Sequence, residues 1–218
     1  DLVNAVSNGG RSVRIETKDG TQVDNVEIES DAIVESSSLT GKLGTIKLGS
    51  GAAGKTLSLR GNIDSEVQVD APGSSIKLEP PSNGNSLQTL IKTMVVNSNS
   101  TIETSSGTKL PTLKVGGSNS KIMITGAAEI DEVLVDPNAS GTTLNLGEGT
   151  KVDTIKADSP ITLDGSPSAI VNVKTEGSAP ISVEERIKDS IKAEALRLAK
   201  KEADAIYPFA TYTQQLAS

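Results

Sequence analysis

The stretch Ile130-Asp131-Glu132-Val133-Leu134-Val135-Asp136-Pro137-Asn138-Ala139-Ser140-Gly141-Thr142-Thr143-Leu144-Asn145-Leu146 holds one complete copy of the pattern that organises this chain. Ile130, Val133 and Val135 fit Φ-x-x-Φ-x-Φ, with Φ apolar. Asp136-Pro137-Asn138 is a cluster of turn formers. Leu144-Asn145-Leu146 then alternates with period two, as a half-buried strand does. The unit is therefore two short strands and two turns.

The same pattern recurs on both sides. Val23/Val26/Ile28, Leu43/Ile46/Leu48, Leu110/Leu113/Val115 and Val152/Ile155/Ala157 fit it directly. Ile63/Val67/Val69 fits with one extra residue, and Val96 and Val173 end looser copies. The last apolar residues fall at 28, 48, 69, 96, 115, 135, 157 and 173. Alternating second pieces follow, including Leu57-Ser58-Leu59, Ile76-Lys77-Leu78, Ile122-Met123-Ile124, Ile161-Thr162-Leu163 and Ile181-Ser182-Val183. A period near twenty residues marks a stacked repeat, because one such unit cannot bury its own apolar face. The expected fold is all-β: a single-stranded parallel β-helix or solenoid, right-handed, of about eight rungs of ~20 residues. A leucine-rich repeat has a similar motif and period. Its second half should read helical rather than alternating, so it is the weaker match.

Composition agrees with a narrow aliphatic core. The 218 residues include two Tyr, one Phe and no Trp, so large rings are nearly absent. With no His and no Cys, Ser-His-Asp triads, Cys nucleophiles and ordinary zinc sites are excluded. A net charge of -7 lacks the basic footprint of a nucleic-acid binder, and stacking rings are missing too. No run of about 18 apolar residues is present to span a membrane. A start at Asp1 suggests a processed or excised piece of a longer protein.

The expected organisation is a solenoid domain over residues 1–182 and a C-terminal segment over 183–218. Leu2, Val3, Ala5 and Val6 read as a short N-terminal capping helix. Ser182 with Glu185 has the form of a capping box. A long amphipathic helix is expected from 183 to 206, with Ile187, Ile191, Ala195, Leu198, Ala199, Ala203 and Ile206 on one stripe. Tyr207, Phe209 and Tyr212 then form an aromatic tail, read as a latch or docking segment.

The longest irregular excursion runs from Glu79 to about Thr93. Its Pro80, Pro81, Asn83 and Asn85 are the candidate contact residues of an interaction loop. Asp131, Asp136, Asp153, Asp158 and Asp164 lie near turns, where oxygen ligands would suit calcium. No catalytic residue and no obligatory cofactor is expected. Asn99-Ser100-Thr101 and Asn138-Ala139-Ser140 match the N-glycosylation pattern, which short polar turns also generate by chance.

The segments Val67–Leu78 and Leu144–Ile155 resemble repeats in β-helical regions of Gram-positive cell-surface proteins, the kind that accompany S-layer homology modules. The resemblance covers about residues 13–183. It implies an exported bacterial surface protein with a structural or adhesive role. Its expected partners are other copies, neighbouring domains, or cell-wall and extracellular polysaccharide. The expected function is a non-enzymatic spacer or assembly subunit. The alternative is a glycan- or matrix-binding module, and a polysaccharide lyase comes third.

Overall fold

The computed structural model describes residues 2–5, 12–36, 42–82, 89–105, 108–171, 177 and 179–188. Over these the chain is an all-β, parallel solenoid. One sheet, sheet A, contains β1 (Leu2–Ala5), β3 (Gln22–Ile28), β5 (Lys42–Leu48) and the second half of β6 (Thr56–Val69). It continues through β8 (Thr89–Val96), β10 (Thr108–Lys109), β11 (Thr112–Val115), β13 (Glu129–Val135), β15 (Lys151–Ala157) and β17 (Ile170–Val171). Sheet B contains β2 (Val13–Thr17), β4 (Ala32–Ser36), the first half of β6, β7 (Ser74–Glu79) and β9 (Ser100–Thr104). It continues through β12 (Lys121–Thr125), β14 (Thr142–Leu146), β16 (Ile161–Gly165) and β18 (Ile181–Val183). The chain alternates between the sheets, and every pairing is parallel. This gives about seven turns, complete from β3 to β16, with shorter strands at both ends.

The repeated apolar residues become ladders along the axis. Ile28, Leu48, Val69, Val96, Val115, Val135 and Ala157 are register partners in sequence through sheet A. Val26, Ile46, Val67, Met94, Leu113, Val133 and Ile155 form a second ladder beside them. Ala32, Leu57, Ile76, Ile102, Ile124 and Leu146 answer from sheet B. All of these are essentially buried. Each Val, Leu or Ile so placed contributes about 1.5–3 kcal/mol relative to exposure. The pieces beginning at Leu57, Ile76, Ile122, Leu144, Ile161 and Ile181 are all strands of sheet B. Strands occupy the half of each unit where a leucine-rich repeat would hold helix.

Corners satisfy the backbone polar groups that turns leave over. Amides of Asp70, Asn97, Gly116, Asp136 and Asp158 donate to the carbonyls of Leu48, Val69, Val96, Val115 and Val135, one rung below. Buried hydroxyls add to this. Ser159 Oγ donates to the Asp136 carbonyl at 2.8 Å, and Thr142 Oγ1 to that of Gly117 at 2.9 Å. At Gly61 the long strand β6 bends from sheet B into sheet A. Its φ of +83° and the Ser36 carbonyl 2.1 Å from the site of a Cβ leave room only for glycine.

Several expectations change. Leu2–Ala5 is a strand, not a capping helix, and pairs in parallel with Asn25–Ile28. So short a helix has no stable nucleus in water, whereas the edge of β3 offers each residue backbone partners. The eight rungs become about seven turns. Val173 lies outside the described residues, and Val171 continues the Val152 column instead. Ser182 does not cap a helix: it sits in β18 opposite Thr162. The strand ladder extends to the Glu184 amide, which donates to the Leu163 carbonyl at 2.8 Å. Residues 185–188 form one helical turn, and its Ile187 is buried against the core. The rest of the expected long helix, from residue 189, lies outside the described residues, as do Tyr207, Phe209 and Tyr212.

Candidate functional site

Two features of the outer surface carry chemistry. The first lies where the 79–89 excursion leaves sheet B. Glu16, Glu35, Arg60 and Glu79 each follow the last apolar residue of a sheet-B strand. The register stacks them in one column across β2, β4, β6 and β7. The Glu35 side chain is only 1% exposed. Its Oε2 accepts from Arg14 at 2.7 Å and from the Ser82 hydroxyl at 2.8 Å. Its Oε1 accepts from the Ser82 amide at 2.9 Å. Arg60 donates from Nε to Glu79 at 2.9 Å and from an Nη to Ser82 Oγ at 2.9 Å. Burial pushes the Glu35 carboxyl up, but the Ser82 amide and hydroxyl and the Arg14 guanidinium outweigh this and hold it below its ordinary value.

The far end of the excursion is pinned through Thr89. Its hydroxyl donates to the Glu79 carbonyl and accepts from the Gly61 amide, the latter at 2.9 Å. Of the expected loop residues, Pro80 is exposed and Pro81 half-buried, while Asn83 and Asn85 lie outside the described residues. Pro80 and Pro81 lead directly into Ser82, so their place is set by the Glu35 anchor. Sequence reasoning missed Glu35, Arg14 and Arg60. The available signal was the charge that follows the last apolar residue of each strand.

The second feature is a groove on the outer face of sheet A, enclosing about 320 Å³. Its floor is the register column Val95, Lys114, Leu134 and Lys156, from β8, β11, β13 and β15. Val95 and Leu134 are half-buried and the two lysines exposed. Asp136, Pro137 and Asp158 form one wall. Gly116 also lines the groove and has no room for a side chain, since a Cβ there would lie 2.2 Å from Asn97 Oδ1. Among the described residues neither Lys114 nor Lys156 has an ion-pair partner.

The five acids expected near turns disperse, and three of them, Asp131, Asp153 and Asp164, lie within strands β13, β15 and β16. Asp131 and Asp153 flank a shallow depression with Lys151 between the strands, Asp136 and Asp158 border the groove, and Asp164 pairs with Arg186. Among the described residues no three His, Cys, Asp or Glu side chains are grouped to hold a metal ion. No described helix is long and apolar enough to cross a membrane. Comparison with protein-family models, with curated proteins and with solved structures found no match for this chain.

Proposed function

We propose that this chain is a non-catalytic structural module of an exported bacterial surface protein, serving as a stiff spacer or an assembly subunit. The observation that carries this is the continuity of the core. The same aliphatic ladders run in register from β3 to β15 without a polar break. At about 4.8 Å per rung, seven turns give a rod of roughly 34 Å, with a backbone hydrogen-bond ladder on both faces. Such a body resists bending because each rung is packed and hydrogen-bonded to its neighbours. The surface location and the partners, other copies or adjoining domains, rest on the sequence resemblance.

Negative-stain electron microscopy of the purified chain tests the proposal. Ordered filaments or sheets identify an assembly subunit. Separate straight particles of uniform length identify a spacer. Particles of irregular shape, or rods that bend at a fixed point, overturn both.

A further inference from the structure

We infer that the groove on sheet A binds an extended acidic polysaccharide carrying one carboxylate per disaccharide. The period of the strip selects the ligand. Along the axis the floor reads apolar, cationic, apolar, cationic: Val95, Lys114, Leu134, Lys156. Rungs are about 4.8 Å apart, so like chemistry recurs every ~9.6 Å. A ligand lying along this strip must present an apolar face and a negative charge in alternation at that repeat.

An extended β-linked glycan advances about one rung per sugar, so its disaccharide matches the strip. One sugar sets its C–H face on Val95 or Leu134. The next offers a carboxylate to Lys114 or Lys156. Asp136 and Asp158 on the wall accept hydrogen bonds from the sugar hydroxyls. An extended peptide does not match, because its same-side residues recur every ~6.7 Å. A nucleic-acid strand would need stacking rings, and all three aromatics of the chain lie beyond residue 206. The net charge of -7 opposes polyanions in general, and Asp136 and Asp158 offset the two lysines within the groove, so binding depends on each ligand carboxylate meeting Lys114 or Lys156 directly. Glycan recognition would then sit on sheet A rather than on the excursion between β7 and β8. It holds whether the module is a spacer or an assembly subunit.

The test is a titration of the full chain with hyaluronate oligosaccharides, which carry one carboxylate per disaccharide. Carboxyl-reduced hyaluronate and poly-glutamate are the comparison probes. The expected result is hyaluronate binding that weakens as salt rises and is absent for the reduced polymer. The double variant Lys114→Gln/Lys156→Gln should lose roughly tenfold, the size of two exposed ion pairs together. Leu134→Ser should lose affinity even at high salt. Lys121→Gln, on sheet B, should bind as the parent does. All four side chains face outward, and circular dichroism verifies that each variant is folded. No hyaluronate binding, equal binding of the reduced polymer, tighter binding of poly-glutamate, or a double variant that binds unchanged would each overturn the inference.

Discussion

Glu35 shows how one side chain can tie distant parts of a repeat protein together. Ser82, 47 residues away in sequence, supplies two of its hydrogen bonds. Its carboxyl is held below the ordinary value, so the folded state binds its proton less readily than the unfolded chain. The resulting stability is fully present above the unfolded carboxylate value of about 4.3 and is lost as pH falls through the folded value. Glu35→Gln should therefore be less stable than the parent at pH 7, and the difference should shrink on acidification. We expect about 2 kcal/mol at pH 7 by urea titration, below the 3–5 of a fully buried pair because Arg14 and Arg60 still reach water. A difference that is constant from pH 7 down to pH 3 would contradict this assignment.

The corner glycines differ in how much room they leave for a side chain. Gly126 has φ +77° and the Thr104 carbonyl 2.0 Å from where a Cβ would sit. Gly54 has φ +69° with open space around it. Gly54→Ala should cost only the left-handed penalty of about 1–2 kcal/mol. Gly126→Ala should cost more, because the corner backbone must also move. Equal midpoints in urea for the two variants would remove the stacking contact from the account.

Elements differ in how far local sequence could disclose them. The strands of both sheets were legible because a period-two face buried against a ladder leaves a regular apolar mark. Ile28, Leu48, Val69, Val96, Val115, Val135 and Ala157 carry that mark in the sequence and are register partners in the structure. The end strand β1 was not legible. In Leu2-Val3-Asn4-Ala5 a helical and an extended pattern look alike, and pairing with β3 decides between them. The groove was half legible: its residues lie in the repeats, but only the register puts Val95, Lys114, Leu134 and Lys156 in one line. The Glu35 anchor was hidden because the excursion that supplies Ser82 has no period to follow.

The Glu184 amide ends the backbone ladder on Leu163, and Ile187, 1% exposed, covers the last core residues. Ile187→Ser uncovers them. Hydrogen exchange should then quicken in β16 and β18, while β3 and β5 keep the protection of the parent chain. Uniform quickening along the whole solenoid would mean that Ile187 acts on the fold as a unit and not as an end cover.

At the scale of the molecule each rung touches only its neighbours, so stability is close to a sum of rung and interface contributions. Position along the axis should therefore decide what a core deletion does. Leu113 in β11 lies between Met94 below and Val133 above and is fully buried. Leu113→Ala leaves a cavity inside the stack, with sheet-A strands β1, β3, β5, β6 and β8 on one side and β13, β15 and β17 on the other, and should cost about 2–5 kcal/mol. Val26, in the first complete rung, has a full rung on one side and only β1 on the other. Val26→Ala removes fewer atoms and frees only the end strands. The two variants should differ in the course of unfolding as well as in its midpoint. Leu113→Ala should broaden the urea transition or split it in two, because the parts on either side of β11 lose their coupling. Val26→Ala should leave one steep transition with early loss of protection confined to β1 and β3. Circular dichroism and hydrogen exchange across the same urea series read both quantities. A Leu113→Ala transition as steep as the parent's would show that the rungs melt as a single cooperative block, and the nearest-neighbour picture would not hold for this solenoid.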